Sequence, residues 1–76
     1  MTEKMEYEII KHLGKLSEHN DMNLEINIVS WNHRPPKFDI RKWNADHTEI
    51  SGGQTFTREE AEKLLEILQK YLDETK

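Results

Sequence analysis

The chain has 76 residues, a formal net charge of -4, hydrophobic and charged fractions of 34% each, and no cysteine. So short a chain forms at most one domain, here 1–76, and buries only about 60% of the surface its unfolded form exposes. These figures exclude a disulfide scaffold, a long apolar membrane span and a duplex-DNA binder that relies on bulk positive charge.

Residues 6–16 carry Ile9, Ile10, Leu13 and Leu16, which would align on a helix, but Tyr7, Ile9 and Ile10 also suit a strand. We assign a strand, with a bulge or bend near Gly14. Residues 17–22 (S-E-H-N-D-M) are polar and read as a loop. Residues 23–31 alternate as a strand does. Leu24, Ile26, Ile28 and Ser30 share one face; Glu25, Asn27, Val29 and Trp31 share the other. Residues 37–44 form a third strand. Phe38 and Ile40 are on one face, with Lys42 following; Lys37, Asp39, Arg41 and Trp43 are on the other. A hairpin through 32–36 would put both indoles on the face opposite the aliphatic core, near Arg34, Lys37 and Arg41.

Residues 45–49 read as a turn, Ser51-Gly52-Gly53 as a flexible joint and 54–56 as a short strand. Residues 57–73 form a helix. Thr57 and Glu60 have capping-box spacing, and acidic residues fill the first turn. Ala61, Leu64, Leu65, Leu68 and Leu72 make an apolar stripe, widened by Ile67 and Tyr71. That stripe is broader than a lean four-stranded sheet needs. A small core without disulfides points the same way, to a homodimer. The expected fold class is α+β, a four-stranded sheet followed by one C-terminal helix.

The segment W-N-H-R-P-P-K-F-D-I-R-K-W, residues 31–43, holds both tryptophans, both prolines and four of the 11 Lys+Arg residues. Indoles interleaved with cations suit single-stranded nucleic acid, because a base offers a flat face and a phosphate offers charge. The candidate contacts are Trp31, Asn32, Arg34, Lys37, Arg41 and Trp43. A second reading stays open, in which one or both tryptophans cover core or a subunit contact. Arg41 beside Asp39 could likewise be a surface ion pair. Stacking on an indole does not separate RNA from DNA, and the same face could receive a protein partner. No catalytic residues are assigned: there is no Cys nucleophile, no Ser in a strained Gly-flanked turn and no phosphate loop. The four His, at 12, 19, 33 and 47, lack metal-ligand spacing and read as exposed loop residues. No cofactor is expected.

V-S-W-N-H-R-P-P-K-F-D-I-R-K-W, followed by a Gly-containing link and Q-T-F-T-R-E-E-A-E-K-L-L, resembles the positive-cofactor-four transcriptional coactivator family, in its bacterial YdbC-like branch. The similarity runs from about Tyr7 to Tyr71, and K-F-D-I-R-K-W is its most specific piece. It implies a four-stranded antiparallel sheet with one helix, and a homodimer whose sheets form a curved surface for single-stranded DNA. It implies that Trp31 stands where the family's base-stacking aromatic follows the second strand. Arg41 stands at the Arg of D-I-R, and Arg34 and Lys37 lie in the hairpin that contacts phosphates. Family members carry G-K-G-I before the last strand; here Gly52 takes the place of that Lys. Eukaryotic members have two adjacent aromatics after D-I-R, where this chain has Lys42 and then Trp43. The implied setting is transcription, replication or repair in the bacterial cytoplasm or nucleoid, without a membrane.

Overall fold

A computed structural model of the protein describes residues 6–75. Four strands are followed by one helix: β1 (Tyr7–His19), β2 (Met22–Trp31), β3 (Lys37–Asn44), β4 (Gln54–Phe56) and α1 (Arg58–Glu74). The sheet runs β1-β2-β3-β4, with every neighbour antiparallel. This is the expected α+β architecture.

β1 is longer than its sequence suggests and is irregular throughout. Its register against β2 shifts between Ile9 and Lys11, between His12 and Gly14, and between Lys15 and Ser17. The bend expected at Gly14 is therefore one of three bulges. In each bulge two residues oppose one. Ile10, Leu13 and Leu16 thereby join the face of the β2 residues opposite them, Ile28, Ile26 and Leu24. A bulge every third residue gives a strand a period of three, close to the helical 3.6. That explains why the same apolar residues also fitted a helix. The expected loop at 17–22 is corrected. Ser17, Glu18 and His19 pair with Leu24, Asn23 and Met22. The chain turns in two residues, with Asn20 at a φ of 51°, a conformation Asn tolerates well.

β2 and β3 pair without interruption, from Met22 opposite Asn44 to Val29 opposite Lys37. Leu24, Ile26 and Ile28 thus face α1 together with Ile40 and Phe38, and Phe38 stacks on Phe56 of β4 with ring centroids 5.7 Å apart. Thr57 caps α1 through the expected capping box: Glu60 N donates to its hydroxyl at 3.1 Å, and Thr57 N donates to the Glu60 carboxylate at 2.8 Å.

The core lies on the face that alternation had left outside. Val29, Trp43, Asn27 and Asp39 are fully buried and Glu25 nearly so, and all five belong to the tryptophan face of β2 and β3. The bulges coil β1 over that face. Tyr7 reaches across β2, and its ring centroid lies 5.3 Å from that of Trp43 on β3. The aliphatic face is only half-covered, and α1 has no buried residue. Leu65, Ile67, Tyr71 and Leu72 are each more than half exposed. The radius of gyration is 14.2 Å, against about 11 Å for a compact chain of this length, and the extents of 51 × 31 × 20 Å are those of an elongated molecule.

Trp43→Ala should cost about 3–5 kcal/mol, the usual range for emptying a fully packed aromatic site. A urea titration followed by far-UV circular dichroism should show a sharply lowered midpoint. A wild-type midpoint would place the indole outside the core.

Candidate nucleic-acid interface

The β2–β3 connection is a shaped turn rather than a slack loop. Asn32 and His33 both take positive φ, at 49° and 63°, and Arg34 N donates to Trp31 O at 2.9 Å. This is the geometry of a type I′ turn, which favours Asn at its first position. Ser30 Oγ donates to Arg34 O at 2.7 Å, and Pro35 and Pro36 stiffen the return to β3. The turn is tied to the start of β1. Asn32 N donates to Glu6 O at 2.7 Å, Glu6 N donates to Asn32 Oδ1 at 3.1 Å, and His33 meets the Glu6 carboxylate.

This turn and the neighbouring strands enclose a groove of about 290 Å³, lined by Trp31, Asn32, Arg34, Pro35, Lys37, Arg41 and Thr55. Trp31, Asn32, Arg34, Lys37 and Arg41 therefore converge as the sequence suggested. Pro35 and Thr55 join them. Thr55 arrives because β4 pairs it with Asp39, a long-range pairing without a local signal. Arg34 and Lys37 are exposed, and among the described residues neither enters an ion pair. Asn32 spends its carbonyl oxygen on the Glu6 backbone, so its role within the fold is to fasten the turn.

Arg41 is built in rather than loose. Its Nε donates to both oxygens of Asp39, at 2.7 and 2.9 Å, and Asp39 is fully buried. Its guanidinium carbon lies 4.5 Å from the Trp31 ring centroid, a cation–π contact. The ion-pair reading of Arg41 and Asp39 holds, but on the buried face rather than at the surface. Gly53 makes this possible. A Cβ there would lie 2.3 Å from the Arg41 Cβ and 2.4 Å from Ile40 O, so only glycine lets the strand approach so closely. The expected flexible joint is at that point a packing contact. At Gly52 a Cβ would meet nothing within 4 Å, so the backbone there leaves room for a larger residue.

Trp43 is a correction. It was a candidate for base stacking, but its side chain is completely covered and has no free face. Trp31 lies nearly parallel to it at 6.3 Å between centroids, Tyr7 tilts against both, and His47 packs 5.4 Å from the Trp43 ring. Trp43 thus supports Trp31 from within. Alternation puts both indoles on one face but takes that face to lie opposite the core, and it does not show that β1 folds over Trp43.

Sequence reasoning missed a buried polar network beneath these rings. Glu25 is 4% exposed, and its carboxylate lies 2.9 Å from His47 Nε2 and 3.5 Å from His12 Nδ1. Asn27 donates to Glu25 at 3.2 Å and lies 2.6 Å from His12 Nδ1. The 44–49 loop delivers His47. Asn44 accepts from Thr48 N and Glu49 N at 2.8 and 2.9 Å, His47 takes a φ of 58°, and its carbonyl accepts from the Tyr7 hydroxyl. His12 and His47 are thus not idle loop residues. Burial pushes the Glu25 carboxyl upward, but bonds from His47 and Asn27, with the charges of His47 and His12, outweigh it and hold the pKa below its ordinary 4.5. Among the described residues no group of three or more His, Cys, Asp or Glu is placed to hold a metal ion, and no helix is long and apolar enough to cross a membrane.

Fold and groove together define a small antiparallel sheet domain, closed by aromatics on one face and bearing one helix. The chain is 41% identical over 63 residues to an uncharacterized protein of Treponema pallidum (strain Nichols), a match covering 82% of this chain and 74% of that protein. The chain belongs to the same family as that protein. No family model matches the chain.

A carboxylate whose pKa is lowered by folding stabilises the fold above its unfolded value, and that stability is lost as pH falls through the folded value. Glu25 should therefore weaken the fold progressively below about pH 4.5. Glu25→Gln should be less stable than wild type near neutrality, yet show a flatter fall of the urea midpoint as pH drops below about 4.5. Parallel acid profiles for the two proteins would remove Glu25 from this role.

Proposed function

We propose that this protein is a sequence-tolerant single-stranded DNA-binding protein of the positive-cofactor-four type, working as a homodimer in transcription, replication or repair within the bacterial cytoplasm or nucleoid. The observation that carries the reading is the groove itself. Three cations, Arg34, Lys37 and Arg41, line it beside a partly buried indole, and no carboxylate is among its lining residues. The nearby carboxylate, Asp39, is already spent on Arg41. In a chain of net charge -4, such a concentration of cations suits phosphodiesters held locally rather than a polyanion attracted from afar.

A base can lie against the Trp31 and Arg41 pair, while Arg34 and Lys37 meet the flanking phosphates. Asn32 and Thr55 supply polar edges to the same groove. Duplex DNA fits poorly, because its stacked bases present no free faces. The homodimer is supported by the apolar side chains left in solvent. Ile10, Leu13 and Leu16 of β1 lie on the same side of the sheet as the α1 stripe, and all are 40% exposed or more. Surface of this extent usually marks a protein interface.

Titration of Trp fluorescence with oligothymidylate should show saturable binding. The slope of log affinity against log salt should be about -0.7 for each phosphate neutralised. Arg34→Ala and Lys37→Ala should each lower both affinity and slope, and Trp31→Ala should cost about 1–3 kcal/mol. Sedimentation at low micromolar concentration should give twice the chain mass. Salt-insensitive binding, or equal competition by duplex, would favour a protein partner on this face; a monomer would remove the two-subunit groove.

A further inference from the structure

Asp39 lies buried behind Arg41, out of the groove lining, and bulk electrostatics gives it an unfavourable part there. It is an anion among three cations that are proposed to hold an anionic ligand. Its geometry says otherwise. Asp39 is fully buried, and both its oxygens accept from a single donor, Arg41 Nε. An arginine has five N–H donors. Here one is taken, and among the described residues no acceptor takes the four on the two η nitrogens. The Arg41 side chain is only 13% exposed, yet it lines the groove. Three constraints therefore act on this guanidinium. Asp39 grips its ε edge, the Trp31 ring lies against it 4.5 Å from its carbon, and the Gly53 backbone confines its stem. Such a group has lost most of its rotamer freedom before any ligand arrives.

We propose that Asp39 is a positioning residue for the nucleic-acid site, holding Arg41 so that its unspent η N–H fork meets a paired acceptor of the bound strand, two phosphodiester oxygens. The proposal rests on the single-stranded DNA reading above. A ligand oxygen pair matches the guanidinium fork in a way it cannot match a lysine ammonium. Fixing the fork beforehand removes an ordering cost from binding. Asp39 thus strengthens binding of an anion although it is itself an anion, because its charge is already neutralised by the group it holds.

The two views of Asp39 differ in sign, which makes the test direct. Loss of a negative charge from a cationic groove should tighten binding to oligothymidylate if only net charge matters. If Asp39 positions Arg41, Asp39→Asn should weaken binding, roughly tenfold on the scale of one hydrogen bond to a charged group. In an Arg41→Ala background the same change should weaken it no further. A second readout needs no ligand. The Arg41 Nε proton should be protected from exchange in wild-type ¹⁵N spectra and lose that protection in Asp39→Asn. Arg41→Lys, which keeps the charge without the fork, should bind nearly as poorly as Arg41→Ala. This arm carries the test if Asp39→Asn does not fold. Tighter or unchanged binding by Asp39→Asn, an unprotected Nε proton in wild type, or wild-type affinity in Arg41→Lys would each overturn the proposal. Absence of oligothymidylate binding in wild type, with the Nε proton protected and released as expected, would instead refute the single-stranded DNA reading and leave the clamp standing.

Discussion

Two carboxylates, Glu25 and Asp39, are buried on one face of a single sheet, and each must be paired or the fold loses several kcal/mol. Their partners come from different parts of the chain. His12 lies on β1, His47 sits in the 44–49 loop, and Arg41 shares β3 with Asp39. Satisfying Glu25 pulls the loop and β1 together over Trp43. Satisfying Asp39 turns Arg41 onto Trp31. The aromatic cluster and the cationic groove are thus two outcomes of one requirement, that buried charge be neutralised.

The other face shows the opposite condition. Its strands carry the aliphatic residues a core would use, and a helix follows with a wide apolar stripe. In one chain, however, no residue of the helix is buried and its leucines remain in solvent. Folding of a single chain thus encloses the polar and aromatic face and leaves the aliphatic one unfinished. The bulges of β1 serve both sides. They coil the strand over the tryptophans, and they turn Ile10, Leu13 and Leu16 toward the helix side. A second copy supplying matching apolar surface would complete what one copy of this small domain leaves open.

Much of this was legible in the sequence, and the failures have physical causes. The α1 start was readable because the capping box is local, and β2 and β3 because alternation is local. Convergence of Trp31, Lys37 and Arg41 follows from the same alternation, and that of Arg34 from the hairpin that joins the two strands. Burial of Trp43 did not, since it depends on Tyr7 arriving from β1 through a repeated bulge. The polar run at 17–19 pairs with β2 against its composition. Gly53 looked like a hinge because sequence shows a missing side chain but not the backbone that occupies its place. The His12–Glu25–His47 network joins residues far apart in the chain, and none of the three carried a local sign of it.

The most direct test of the account is chemical-shift mapping of ¹⁵N-labelled protein, including its indole and arginine side-chain signals, on addition of short oligothymidylate. The largest perturbations should fall on Trp31, Arg34, Lys37, Arg41 and Thr55, with Trp43 responding only weakly and the exposed face of α1 unchanged. Perturbations concentrated on α1, or spectra that do not change at saturating oligonucleotide, would contradict a single-stranded nucleic-acid interface on the tryptophan face.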